Sequence, residues 1–169
     1  MAVLFRNKVI TLEEKVQRLP NGRSAKITIV KHPEVAVIIP VIGGKFLLEN
    51  HYRPVIKKWL LEFPAGFVEK GESPLQAAKR EMEEETGLKV RGLKYLFKNY
   101  SSAGFTDELA YYYLAEKFSK GKRSNEGNEI QTLRSIGIKK ALQMVRQGRI
   151  TDSKTMKGIL YHTSFLYGK

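Results

Sequence analysis

The chain has 169 residues, 42% of them hydrophobic, which suits one domain with a sizeable core and argues against disorder. Its formal charge is +13 and it contains no cysteine, so disulfide frameworks, thiolate zinc sites and cysteine nucleophiles are excluded, while polyanions are attracted. No apolar run approaches the roughly 20 residues that cross a bilayer, and the opening MAVLFRNKVITLEEK lacks a signal peptide's apolar centre, so no membrane partner and a cytoplasmic location are expected.

In chain order, residues 3–33 read as strands, with Pro20-Asn21-Gly22 supplying a turn because Asn and Gly tolerate positive φ. VAVIIPVIGGKFLLENHY reads as a hairpin over Gly43-Gly44, and Val35 to Val41 is apolar enough for a buried central strand. WLLEF is a short strand halted by Pro64. A helix is predicted over Pro74 to Thr86. Ser73 is its N-cap, Pro74 fits the first helical position, Gln76 completes a capping box and Gly87 suits the left-handed residue that ends it. GLKYLFKNY, ELAYYYLAEKF and IQTLRSIG read as further strands. KKALQMVRQG is a helix ending at Gly148, and a last helix is capped by Thr151 or Asp152. Strands on both sides of a central helix, with helices late, give an α+β sandwich.

At about 100° per residue, Leu75, Ala78 and Met82 share the face that should pack on the sheet, while Glu81, Glu84 and Glu85 form a carboxylate stripe. Like charges one turn apart repel, and anions near a helix C-terminus oppose its dipole. A local rule broken inside a well-punctuated helix marks a functional site. Hard divalent cations resolve the conflict, because they bind carboxylate oxygens and phosphates together. The competing reading is a solvated acidic face paired with Lys79 and Arg80.

The segment GFVEKGESPLQAAKREMEEETGL resembles the Nudix box, G-x(5)-E-x(7)-R-E-U-x-E-E-x-G-U, at every fixed position: Gly66, Glu72, Arg80, Glu81, Met82, Glu84, Glu85, Gly87 and Leu88. The resemblance implies the Nudix fold, a mixed β-sheet sandwiched between α-helices, and hydrolysis of a nucleoside diphosphate linked to another group. It implies that Glu81, Glu84 and Glu85 hold Mg²⁺, with Mn²⁺ as the alternative, and that the Ala65 carbonyl is a further metal ligand. Arg80 and Glu72 are expected to pair and hold loop and helix in register, and Glu83 to be solvated.

Beyond the box, LPNGRSAKITIVKHPEVAVIIPV, LLENHYRPVIKKWLLEFPAGFVEKGES and GRITDSKT are similar to the ADP-ribose pyrophosphatase branch. That similarity implies cleavage of ADP-ribose to AMP and ribose 5-phosphate by a homodimer. Residues 1–34 would form an N-terminal antiparallel strand region that builds the dimer, and residues 35–169 the hydrolase domain. Arg53 is expected to pair with the diphosphate through its planar fork, Glu62 to accept from a ribose or adenine, and Phe105 to stack the base. The general base is expected in the loop NEGNEI, at Glu126 or, second, Glu129, beside the catalytic Glu84. One departure is Ala103, where the branch places a proline.

Two other readings stay open. One is a Nudix hydrolase of another compound, such as a dinucleoside polyphosphate, nucleotide sugar, NADH or capped RNA. The other is a non-catalytic nucleotide-sensing module, which the intact box disfavours. The densest basic cluster, KFSKGKRSNEGNE, reads as a loop and no helix carries a basic stripe, so a small nucleotide rather than nucleic acid is the expected partner.

Overall fold

The computed structural model describes residues 1–124 and 131–167. Strands β1 (Ala2–Arg6), β2 (Thr11–Arg18) and β3 (Ser24–Lys31) form an antiparallel sheet of their own. Gly22, at φ 81°, makes the turn between β2 and β3 as the sequence predicts. A second, seven-stranded sheet holds the core. It runs β12 (Gln131–Gly137), β5 (Lys45–Arg53), β4 (Val35–Ile42), β10 (Leu109–Ala115), β9 (Leu93–Tyr100), with β6 (Lys58–Glu62) beside β5 and β7 (Ala65–Phe67) beside β4. The β4–β10 pair is parallel and the others antiparallel, so the sheet is mixed.

The apolar run of β4 is buried on both faces. Successive side chains alternate, which splits the core in two. Val35, Val37 and Ile39 pack with Phe46, Leu48 and Tyr112 under α2 (Ile138–Arg146) and α3 (Ser153–Phe165). Ala36 and Ile38 pack with Tyr113 under α1 (Pro74–Thr86). The predicted sandwich is therefore present, with one helix on one face and two on the other.

Helix α1 begins and ends where its punctuation predicts. The Ser73 Oγ accepts from the Gln76 N–H at 3.3 Å, the Gln76 side chain accepts from the Ser73 N–H at 2.7 Å, and Gly87 closes the helix at φ 74°. Its buried stripe is Ala77, Ala78, Met82 and Thr86, while Leu75 is 39% exposed. The expected stripe of Leu75, Ala78 and Met82 is thus rotated, because α1 packs against β7 as well as β4. Three short strands escape the sequence reading. One is β7, and the others are β8 (Leu88–Val90) and β11 (Phe118–Lys120), which pair with each other. Asp152, not Thr151, caps α3, its carboxylate accepting from the Thr155 N–H at 2.8 Å.

Candidate active site

A cleft of about 510 Å³ opens where β4, β5, β6 and β7 meet α1 and the start of α3. Its wall gathers Arg53, Glu62, Ala65, Glu81, Glu84 and Glu85 from the residues singled out in the sequence. Phe105 is not among the lining residues; it is 58% exposed, on the turn before β10. Glu126 and Glu129 lie outside the described residues.

The centre of the site is Arg80. Its guanidinium donates to both Glu72 oxygens at 2.7 and 3.3 Å, to Glu81 at 2.7 Å, to Glu84 at 3.0 Å and to the Phe67 carbonyl at 2.9 Å. Glu81 and Glu84 of the stripe are therefore bridged by one planar cation. Glu72 also accepts from the Glu69 N–H at 2.8 Å, which fastens the loop between β7 and α1. This is the register role expected for Arg80 and Glu72. Arg80's hydrogen bonds hold the Glu72 carboxyl below the ordinary carboxylate range, and Glu72 in turn raises the Arg80 guanidinium, so both stay ionised. Glu81 moves the other way: burial pushes its carboxyl up, and the charge of Arg80 only partly opposes this.

The backbone of β7 is fitted to these acids. A Cβ on Gly66 would overlap the Glu81 carboxylate, so only glycine leaves room for that side chain against the strand. Glu85 accepts from the Ala65 N–H at 3.0 Å, which docks α1 on β7 one helical turn further along. Among the described residues no three acidic or imidazole groups converge as a ready metal cage, because Arg80 stands between Glu81 and Glu84. The donors at hand are nonetheless all oxygen, three carboxylates beside a strand backbone, which is the set that suits Mg²⁺. The space at Gly66 lets one of them reach the strand.

Arg53 and Glu62, expected to meet substrate separately, pair with each other. Arg53 Nε donates to one Glu62 oxygen at 2.7 Å and its NH2 to the other. The two strands are adjacent, but their register sets Arg53 opposite Lys58 and Glu62 opposite Glu49, so the side chains reach along the ladder to meet. Glu83 is not simply solvated: it accepts from the Lys122 N–H at 3.2 Å and pairs with Lys89 at 3.5 Å, tying α1 to the segment before the NEGNEI loop.

Several cleft residues escape the sequence reading: His32, His51, Glu69, Glu108, Asp152 and Lys154. His32 sits 3.4 Å from Glu108 and its backbone N–H donates to the Asp107 carboxylate at 3.0 Å, so the end of β3 is stitched to the segment leading into β10. The missing proline at Ala103 does not prevent a turn there. The Ser102 carbonyl accepts from the N–H groups of Phe105 and Thr106 at 3.2 and 3.1 Å. Two of them carried a readable signal: Asp152 as a helix cap, and Lys154 as a cation in the first turn of a helix, where the dipole disfavours it.

Residues 31–157 match the family model described as NUDIX domain. The chain is 37% identical to an ADP-ribose pyrophosphatase of Bacillus subtilis (strain 168), covering 94% of this chain and 87% of that protein. It is 35% identical to a methanol dehydrogenase activator of Bacillus methanolicus over the same shares of both. The fold superposes on a crystal structure described as an ADP compounds hydrolase with a TM-score of 0.86, at 18% identity, covering 99% of this chain and 91% of that one.

Proposed function

The chain belongs to the Nudix family, and on that premise we propose that it hydrolyses the diphosphate bond of ADP-ribose, giving AMP and ribose 5-phosphate. The observation that carries this reading is the acidic face of α1, seated on the Gly66 backbone inside a cleft of nucleotide-binding size. The kinship to the Bacillus subtilis enzyme over nearly the whole chain supports the choice of substrate.

Glu81, Glu84, Glu85 and the Ala65 carbonyl would hold Mg²⁺, or Mn²⁺ in its place. When bound, such a cation neutralises diphosphate charge and makes water a better nucleophile at neutral pH. The chain's own residues supply the rest. Arg80 and Glu72 fix the helix against the loop, and Gly66 lets the Glu81 carboxylate lie against β7. Arg53, paired with Glu62 on the cleft wall, meets the diphosphate. Phe105 remains the proposed stacking residue, on the same turn as Thr106 and next to the segment carrying Glu108.

The base is Glu126, with Glu129 second. Both flanks of their loop abut the site. The Ser124 N–H donates to the Glu84 carbonyl at 3.0 Å, and Gln131 pairs in register with His51, itself a cleft residue. The glutamate takes the proton of the attacking water as it adds to phosphorus in line.

The active species is a cytoplasmic homodimer built through residues 1–34. In support, Val3, Leu4 and Phe5 are each about half exposed and Val16 is 69% exposed, so the N-terminal sheet shows apolar side chains that a second copy would cover. No helix of the described residues is long and apolar enough to cross a membrane.

Chromatographic product analysis tests the function. The chain, with Mg²⁺, is given ADP-ribose, a nucleotide sugar, NADH and a dinucleoside polyphosphate. ADP-ribose should be cleaved fastest, and faster cleavage of another compound would replace the substrate.

A further inference from the structure

The cleft is acidic although the chain is strongly basic. Among the described residues it is lined by seven carboxylates and three cations, Arg53, Arg80 and Lys154. A substrate diphosphate is repelled by such a wall unless cations are free to meet it. Arg80 is bound to three carboxylates, and the charge of Arg53, the residue proposed to meet the diphosphate, is offset by Glu62.

Lys154 differs. Its side chain is only 25% exposed, well below what is usual for lysine, yet its ion pair with Asp152 is loose at 3.5 Å. Asp152 is occupied elsewhere, since its other oxygen accepts from the Thr155 N–H and from the Thr155 hydroxyl, both at 2.8 Å. The Thr155 hydroxyl in turn accepts from the Phe63 N–H at 2.8 Å, fixing the start of α3 to the chain between Glu62 and Ala65. Lys154 is thus held at a set height over the residues that flank the acidic helix. It also lies in the first turn of α3, where the dipole disfavours positive charge, so helix stability does not explain it.

We propose that Lys154 is a substrate-binding residue whose ammonium contacts the diphosphate, with Asp152 and Thr155 positioning it over the cleft. The proposal rests on the diphosphatase reading for its ligand class but can be judged apart from it. Two probes are used with Mg²⁺ present: ADP, which carries the diphosphate, and adenosine, which does not.

In equilibrium binding, Lys154→Met should weaken ADP at least about tenfold and leave adenosine within about twofold. Lys154→Arg should keep ADP within about threefold. Lys139→Met, on the exposed face of α2, makes the same charge change and should alter neither. In turnover, Lys154→Met should raise KM far more than it lowers kcat. ADP affinity within twofold of wild type would overturn the proposal. So would a parallel loss of adenosine, which signals a distorted cleft. If Lys154→Met does not fold, Lys154→Gln carries the same outcomes. Should the wild type leave ADP-ribose uncleaved, the proposed function fails while the ADP-to-adenosine comparison still judges Lys154.

Discussion

The Glu81 carboxylate occupies the space that a side chain on Gly66 would fill. A strand glycine and a helix glutamate fifteen residues apart are therefore one unit, and the first position of the box is a space requirement set by its central acid.

Gly66→Ala separates this fit from stability. The overlap is with the far end of a flexible side chain, so Glu81 should swing away and the strand should stay. Turnover should fall about 10²-fold or more, as expected when a reacting group is displaced by about 1 Å. The melting temperature should move little. Wild-type turnover in a folded Gly66→Ala protein contradicts the fit.

The Glu72–Arg80 pair predicts a pH dependence. Glu72 titrates below its ordinary 4.5 in the folded chain, chiefly because Arg80 donates to it. Between the folded and unfolded values the unfolded chain binds a proton that the folded chain does not. The stabilisation is thus complete above 4.5 and is lost as pH falls through the folded value. Denaturant unfolding at several pH values should show wild type ahead of Glu72→Gln at about pH 6, with the gap shrinking as pH falls below 4.5 through the folded value. A gap that stays constant with pH removes the ion pair from the account.

Thr155 should matter to stability before chemistry. Thr155→Val leaves the Phe63 N–H buried without its acceptor, at a cost of about 1–3 kcal/mol. Thr155→Ser keeps the oxygen and should lose less. Urea unfolding of both variants measures the difference, and a loss in Thr155→Val no larger than in Thr155→Ser would show that the hydroxyl contributes no more than the methyl group.

Much of this was legible in the sequence for physical reasons. The capping box, the proline at the first helical position and the closing glycine are local signals, and α1 obeys them to the residue. The buried β4 run and the two late helices likewise follow from apolar pattern. The Arg53–Glu62 pair was not legible, because the side chains meet off the β5–β6 register, where Arg53 stands opposite Lys58, and no local spacing reports that. His32 reaches Glu108 only because the end of β3 meets the segment before β10, far along the chain. Strands of three residues such as β7, β8 and β11 carry too little pattern to read, and Leu75 was misplaced because β7 was missing from the picture.

The base is tested by a pair of variants. Glu126→Gln should cut single-turnover rates by about 10²- to 10⁴-fold, with metal affinity near wild type. Glu129→Gln should cost far less, and Glu81→Gln should weaken metal binding as well as turnover. A large loss at Glu129 alone moves the base by three residues. Losses at neither assign proton removal to the box itself.

The most direct test of the central claim is the product analysis of ADP-ribose with Mg²⁺, run on wild type and Glu85→Gln. Wild type should give equal amounts of AMP and ribose 5-phosphate, and a chelator should stop it. Glu85→Gln, which keeps an oxygen to accept from the Ala65 N–H, should fold and turn over at least about 10³-fold more slowly, a loss near 4 kcal/mol. Intact ADP-ribose after incubation with wild type, or full activity in Glu85→Gln, would contradict the account.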